Sequence, residues 1–145
     1  IVGEAHLSGA IDLLTIDKDT KTIIVTDYKT GHATRDWKGK TEYDHIKLHK
    51  YRQQLMFYKL MVEHSRTYGD YQVERGVLQF VEPTMTGEIL ALESHFDREE
   101  LATFTQLIQK VWQKITTLDL PDASQYDQSY KGILAFEQAL LDDEV

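Results

Sequence analysis

From Val2 to Ile16 apolar and polar residues roughly alternate, and they do so again from Thr22 to Tyr28, beyond the charged, turn-like run Asp17 to Lys21. Alternation with a period of two turns one face of a chain toward a core, so these segments predict the strands of a β-meander. A polar stretch from Gly31 to Thr41 follows. The period then changes: Leu48, Tyr51, Leu55, Tyr58 and Val62 recur at spacings of three and four, which predicts a long amphipathic helix over about 44–66. Strand character resumes over Val73 to Val81 and Glu88 to Phe96, on either side of Pro83 and Gly87. Asp97 and Glu100 have the spacing of a capping box. Behind them Leu101, Phe104, Leu107, Ile108, Val111, Trp112 and Ile115 draw one helical stripe that ends near Leu118, before Pro121. A last short helix is predicted over about 131–141. The predicted order is strand, strand, strand, helix, strand, strand, helix, helix, an α/β or α+β sandwich.

The chain's 145 residues, 41% hydrophobic and 28% charged with 8 Gly and 2 Pro, have the size and composition of one packed domain. Its short apolar runs predict no membrane span. Cys is absent, which excludes disulfides, thiolate zinc sites, iron–sulfur clusters and cysteine nucleophiles, so a metal ion would have to use oxygen or imidazole ligands. The absence of Cys is compatible with a reducing cytosol. The sequence begins at Ile1 without Met or a leader, and the expectation is a piece of a longer protein.

Two segments concentrate chemistry: Gly9-Ala-Ile-Asp12 and Asp27-Tyr-Lys29-Thr-Gly31, each at or near the end of a predicted strand. Side chains two apart on a strand share a face, so Asp27 and Lys29 point together and Tyr28 points away. A hairpin that brings Asp12 beside Asp27 would create a hard oxygen site suited to Mg²⁺ or Mn²⁺. Lys29 would there hold an attacking water or offset charge growing on a phosphoryl oxygen. The plainer reading is that two acids end strands and Lys29 is a solvated edge residue. Gln54 and Tyr58, four apart on the long helix, project from one face; the plainer reading makes Tyr58 core and Gln54 surface.

Taken in this order and at these separations, Gly9-x-x-Asp12, Asp27-Tyr28-Lys29-Thr30-Gly31 and Gln54-x-x-x-Tyr58 resemble the RecB-type branch of the PD-(D/E)XK nucleases, over about residues 2–96. The resemblance implies a restriction-endonuclease-like α/β core, a mixed central sheet flanked by helices, and metal-dependent hydrolysis of DNA phosphodiester bonds. It implies Asp12, Asp27 and the Tyr28 carbonyl as ligands of Mg²⁺ or Mn²⁺, Lys29 as the catalytic lysine, and Gln54 and Tyr58 as residues that line the site and position DNA or the lysine. Relatives commonly supply one further ligand, a His on a helix well upstream of the GxxD strand, which this sequence starts too late to include. His6 is expected to be a strand-face residue rather than that ligand, while Glu4, on the same strand face, is a candidate to support the ligands from behind because similar acids precede GxxD in relatives.

Net charge of −8 argues at first against nucleic acid, but the charge is unevenly spread. Residues 29–66 hold 9 basic and 4 acidic side chains, net +5, whereas residues 119–145 hold 1 and 7, net −6. Within the basic segment, Lys47 with Lys50 and Arg52 with Lys59 lie on neighbouring helix faces and could line a DNA backbone. The tail, with Leu120-Pro121-Asp122, Tyr126 and Ile133 to Leu141, resembles the ends of UvrD-like helicases fused to a nuclease domain. The resulting expectation is one domain over 1–145, with a motif-bearing core over 1–96 and C-terminal helices over 97–145. It would act as an exonuclease on single-stranded DNA in repair or recombination, beside helicase motor domains, in a bacterial or phage cytoplasm. The rival expectations are a nuclease-like fold kept for DNA binding or scaffolding without turnover, and a domain that contacts proteins through its acidic C-terminus.

Overall fold

The computed structural model describes residues 1–145. Four strands, β1 (Leu13–Asp17), β2 (Thr22–Lys29), β3 (Gln72–Phe80) and β4 (Ala91–Ser94), form one sheet in the order β1-β2-β3-β4. The outer pairs are antiparallel and the central β2–β3 pair is parallel, so the sheet is mixed. An Asx turn joins β1 to β2: Asp17 Oδ1 accepts the amides of Asp19 at 2.9 Å and Thr20 at 3.1 Å. A parallel pair cannot be closed by a tight turn, and α1 (Glu42–Glu63) makes the crossover from β2 to β3.

The predicted stripe on α1 is the one that packs. Leu48, Leu55, Tyr58 and Val62 join Ile23, Val25, Val73, Leu78, Phe80 and Leu92 in a buried cluster between this helix and one face of the sheet, with Tyr51 at its margin. The helix starts earlier than periodicity indicates because Thr41 and Asp44 cap each other's backbone amides reciprocally. It also ends earlier, at Glu63, capped by His64. Helices α2 (Arg98–Thr116) and α3 (Tyr130–Leu141) pack on one another and on α1. Asp97 caps α2 through the Glu100 amide, but the capping box that the spacing predicts forms only by half, because the Glu100 carboxylate pairs with Arg52 instead.

One expectation is corrected at the N-terminus. Val2 to Ser8 does not join the sheet, and β1 begins only at Leu13. Gly3, at φ +59°, folds this segment into a tight turn closed by a Val2–Ala5 bridge. Its apolar residues are buried without a strand partner: Val2 and Ala5 are almost fully buried, and His6 lies over Trp112 of α2 with ring centres 5.4 Å apart. Two strands therefore precede α1 rather than three, and His6 is not on a strand. The predicted strand over Glu88 to Phe96 shortens to Ala91–Ser94, which pairs with Gly76–Gln79 of β3.

Candidate active site

Strand β2 outruns its neighbour. The β1–β2 ladder ends at Leu13 opposite Thr26, so Asp27, Tyr28 and Lys29 extend past β1 while still pairing with Leu78, Gln79 and Phe80 of β3. Asp27 and Lys29 fall on the face that carries Ile23 and Val25 and meets α1, whereas Tyr28 is exposed on the other face. Gly31, at φ +93° with nothing within 4 Å of a would-be Cβ, then turns the chain away; the backbone angle rather than lack of space calls for glycine.

Beneath α1, Asp27 is only 4% exposed and its Oδ2 lies 2.6 Å from the Lys29 ammonium. That contact has the distance of an ion pair but not the angles of a hydrogen bond, so Oδ2 is a buried oxygen without a hydrogen-bond partner. Lys29 Nζ donates to Gln54 Oε1 at 2.7 Å, Gln54 Nε2 donates to the Tyr58 hydroxyl at 2.8 Å, and Tyr58 donates to Asp27 Oδ1 at 3.4 Å. The ring closes on itself. An ammonium can only donate, so the Gln54 amide must turn its oxygen to Lys29 and its nitrogen to Tyr58. Burial, reinforced by the negative charges of Asp27 and Asp12, pushes the Tyr58 pKa above the usual tyrosine value, against a smaller opposing effect of the Gln54 hydrogen bond. Tyr58 thus keeps its proton and acts as a donor.

Asp12 lies just ahead of β1, on the free edge of β2, where its Oδ2 accepts the Tyr28 amide at 2.9 Å. The N–H and C=O of one strand residue point to the same edge, so the Tyr28 carbonyl faces Asp12 as well. Lys29 bonds the other way: its carbonyl accepts Val81 N at 3.1 Å on the β3 side. Asp12, Asp27, Tyr28, Lys29, Gln54 and Tyr58 therefore come together at the C-terminal end of β2. Glu4 does not join them. It lies in the N-terminal turn, in a groove with Gln109, Trp112 and Gln113 of α2.

Sequence reasoning left Tyr51 out of the site and counted it with the core stripe. Its ring sits 4.3 Å from the Lys29 ammonium, a cation–π distance, and its position three residues before Gln54 on the same helical face is the signal that could have found it. The basic stripe is also thinner than its composition suggests. Lys59 is buried, bonded to Glu63 and to the Val73 carbonyl, and Arg52 pairs with Glu100. Lys38, Lys40 and Lys50 are exposed, and Lys47 donates to the His32 carbonyl.

A family model described as the PD-(D/E)XK nuclease superfamily matches residues 2–127, and the chain belongs to that superfamily. The mixed four-stranded sheet with its three helices is consistent with the restriction-endonuclease-like fold. Membership makes this a nuclease domain, implies DNA as substrate, and brings the general dependence of such nucleases on divalent metal ions. No curated protein and no solved structure shows significant similarity to the chain. None of its helices is long and apolar enough to cross a membrane.

Proposed function

We propose that this chain works as one RecB-type nuclease domain, an exonuclease on single-stranded DNA that acts in repair or recombination beside helicase motor domains in the cytoplasm. The observation that carries the catalytic reading is the closed ring Asp27–Lys29–Gln54–Tyr58, with a buried Asp27 oxygen that no hydrogen bond satisfies. The residues suit Mg²⁺ or Mn²⁺: the Asp27 carboxylate beside Lys29, the Asp12 carboxylate and the outward Tyr28 carbonyl are hard oxygen donors at the C-terminal end of β2. These three would hold the ion, which when bound lowers the pKa of a water and neutralises charge on a phosphoryl oxygen.

The remaining roles belong to the chain's own side chains. Lys29 carries three protons and Gln54 engages one, so the ammonium keeps capacity to hold the attacking water or a non-bridging phosphate oxygen. Gln54 and Tyr58 fix the lysine and the carboxylate in one geometry, which reduces reorganisation when charge develops. Attack by water oxygen on phosphorus forms one P–O bond and breaks the bond to the 3′ oxygen, which leaves with a proton. The products are a 5′-phosphate and a 3′-hydroxyl. Exposed Lys38, Lys40 and Lys50, on the segment that runs from Lys29 into α1, supply contacts for the DNA backbone. The helicase partnership rests on the likeness of the 120–141 tail to nuclease-fused helicases.

Cleavage of an end-labelled single strand in Mn²⁺, by the chain and by Asp27→Ala and Lys29→Ala variants, tests the assignment. Each variant should lose on the order of 100-fold or more in rate. Calorimetric titration with Mn²⁺ gives a second readout, in which Asp12→Ala and Asp27→Ala should abolish the binding heat. Full activity in both cleavage variants, or Mn²⁺ heats unchanged by the aspartate substitutions, would sink the reading.

A further inference from the structure

Helix α2 is nineteen residues long and strongly two-faced, yet Leu107 is its only buried residue. Its stripe is only partly covered by the rest of the chain: Leu101, Phe104, Ile108 and Trp112 are half-buried, while Val111 is 38% exposed and Ile115 53%. Phe104, Ile108, Val111 and Trp112 of α2 form one wall of an open groove of about 840 Å³, and Ile133 and Phe136 of α3 the other. None of Asp12, Asp27, Lys29, Gln54 or Tyr58 lines it, so the largest apolar concavity lies apart from the catalytic candidates. A cleft of this volume with a mostly apolar lining has the size and character of the concavities in which proteins bind partners or ligands.

Charge around the groove selects the occupant. Asp127 lines it, and the segment that builds its second wall, residues 119–145, carries seven acids against Lys131 alone. Two of these acids are matched by α2 lysines, Asp143 by Lys110 and Asp119 by Lys114, and Glu137 is bonded to His49 and Gln53. Asp122, Asp127, Asp142 and Glu144 have no cationic partner. A second copy of this chain packed symmetrically here would bring acid against acid. From Phe104 to Ile115 the wall is about 17 Å long at 1.5 Å per residue, or roughly three helical turns.

We propose that the α2–α3 groove is a docking site for an amphipathic helix of about three turns on a partner segment, with an apolar stripe laid on Val111 and Trp112 and Lys or Arg on its flanks. This is helix-in-groove recognition read through anchors at i, i+3 or i+4, and i+7. Apolar contact supplies the affinity, and Asp127 and Glu137, the two charged residues of the lining, select partners by charge.

The test uses three labelled fourteen-residue peptides: a Leu/Lys amphipathic helix, its Leu/Glu counterpart, and a Lys/Ser peptide without leucines. Fluorescence anisotropy should show the Leu/Lys peptide binding at least tenfold more tightly than either control. A Val111→Ser, Ile115→Ser double variant changes side chains that already face solvent, and should weaken it at least tenfold with unchanged circular dichroism. Equal binding of the Leu/Glu peptide, no binding of the Leu/Lys peptide, or insensitivity to the double variant overturns the proposal. So does sedimentation that reveals a dimer which the double variant dissociates, because a second copy would then be the occupant.

Discussion

The Asp12 carboxylate accepts the Tyr28 amide at 2.9 Å, two residues beyond the last β1–β2 pair, and so continues by a side chain the ladder that the β1 backbone abandons. One of its oxygens is thereby spent on alignment, and the other stays available for the metal ligation proposed above. Substitution by Asn keeps an acceptor and removes the charge. Asp12→Asn should melt within about 1 kcal/mol of the parent chain, and its Mn²⁺ binding heat in calorimetry should be lost.

Tyr51 is expected to position Lys29 through its ring rather than its hydroxyl. Cation–π contacts contribute about 0.5–2 kcal/mol, so Tyr51→Leu should lower kcat for strand cleavage by roughly twofold to thirtyfold with KM little changed. Tyr51→Phe, which keeps the ring, should stay within about twofold. A change confined to KM, or equal losses in both variants, would contradict this role.

The raised pKa of Tyr58 has a definite sign in stability. A folded-state value above the usual tyrosine value of about 10 means that the native protein holds this proton more tightly than the unfolded chain does. The contribution is complete below pH 10 and is lost as pH climbs through the higher folded value. Tyr51, raised chiefly by burial, adds to the same trend. Denaturant midpoints measured from pH 9 upward should fall beyond pH 10, and less steeply in Tyr58→Phe. Identical slopes would exclude the Tyr58 contribution.

Leu118 follows α2 with φ +57°, a left-handed conformation that a β-carbon disfavours, and its side chain is 82% exposed. Its amide and that of Asp119 bond back to Ile115 and Lys114, which holds the chain in this turn. Leu118→Gly should therefore raise stability by about 1 kcal/mol, visible as a higher denaturant midpoint with unchanged slope.

Much of the site was legible in one dimension because its spacing is set by local geometry. Asp27 and Lys29 share a face by the two-residue period of a strand, and Gln54 and Tyr58 by the four-residue step of a helix. The GxxD, DYKTG and QxxxY segments sufficed to indicate the superfamily that residues 2–127 match. The N-terminal strand was misread because alternation in Val2 to Ser8 marks burial, and burial there comes from packing on α2 rather than from a sheet.

The sequence alone determined which side chains could do chemistry and which elements carry them, since periodicity and motif spacing are properties of neighbours along the chain. Tertiary structure alone decided that β2 runs past β1, that Lys29 is gripped by Asp27, Gln54 and Tyr51 together, and that Lys59 and Arg52 are taken up by internal partners. It also decided that the C-terminal part of the α2 stripe, Val111 and Ile115, stays uncovered. Each of these depends on contacts between residues distant in sequence, where strand length, helix placement and competing charges settle which of several locally equivalent partners is met.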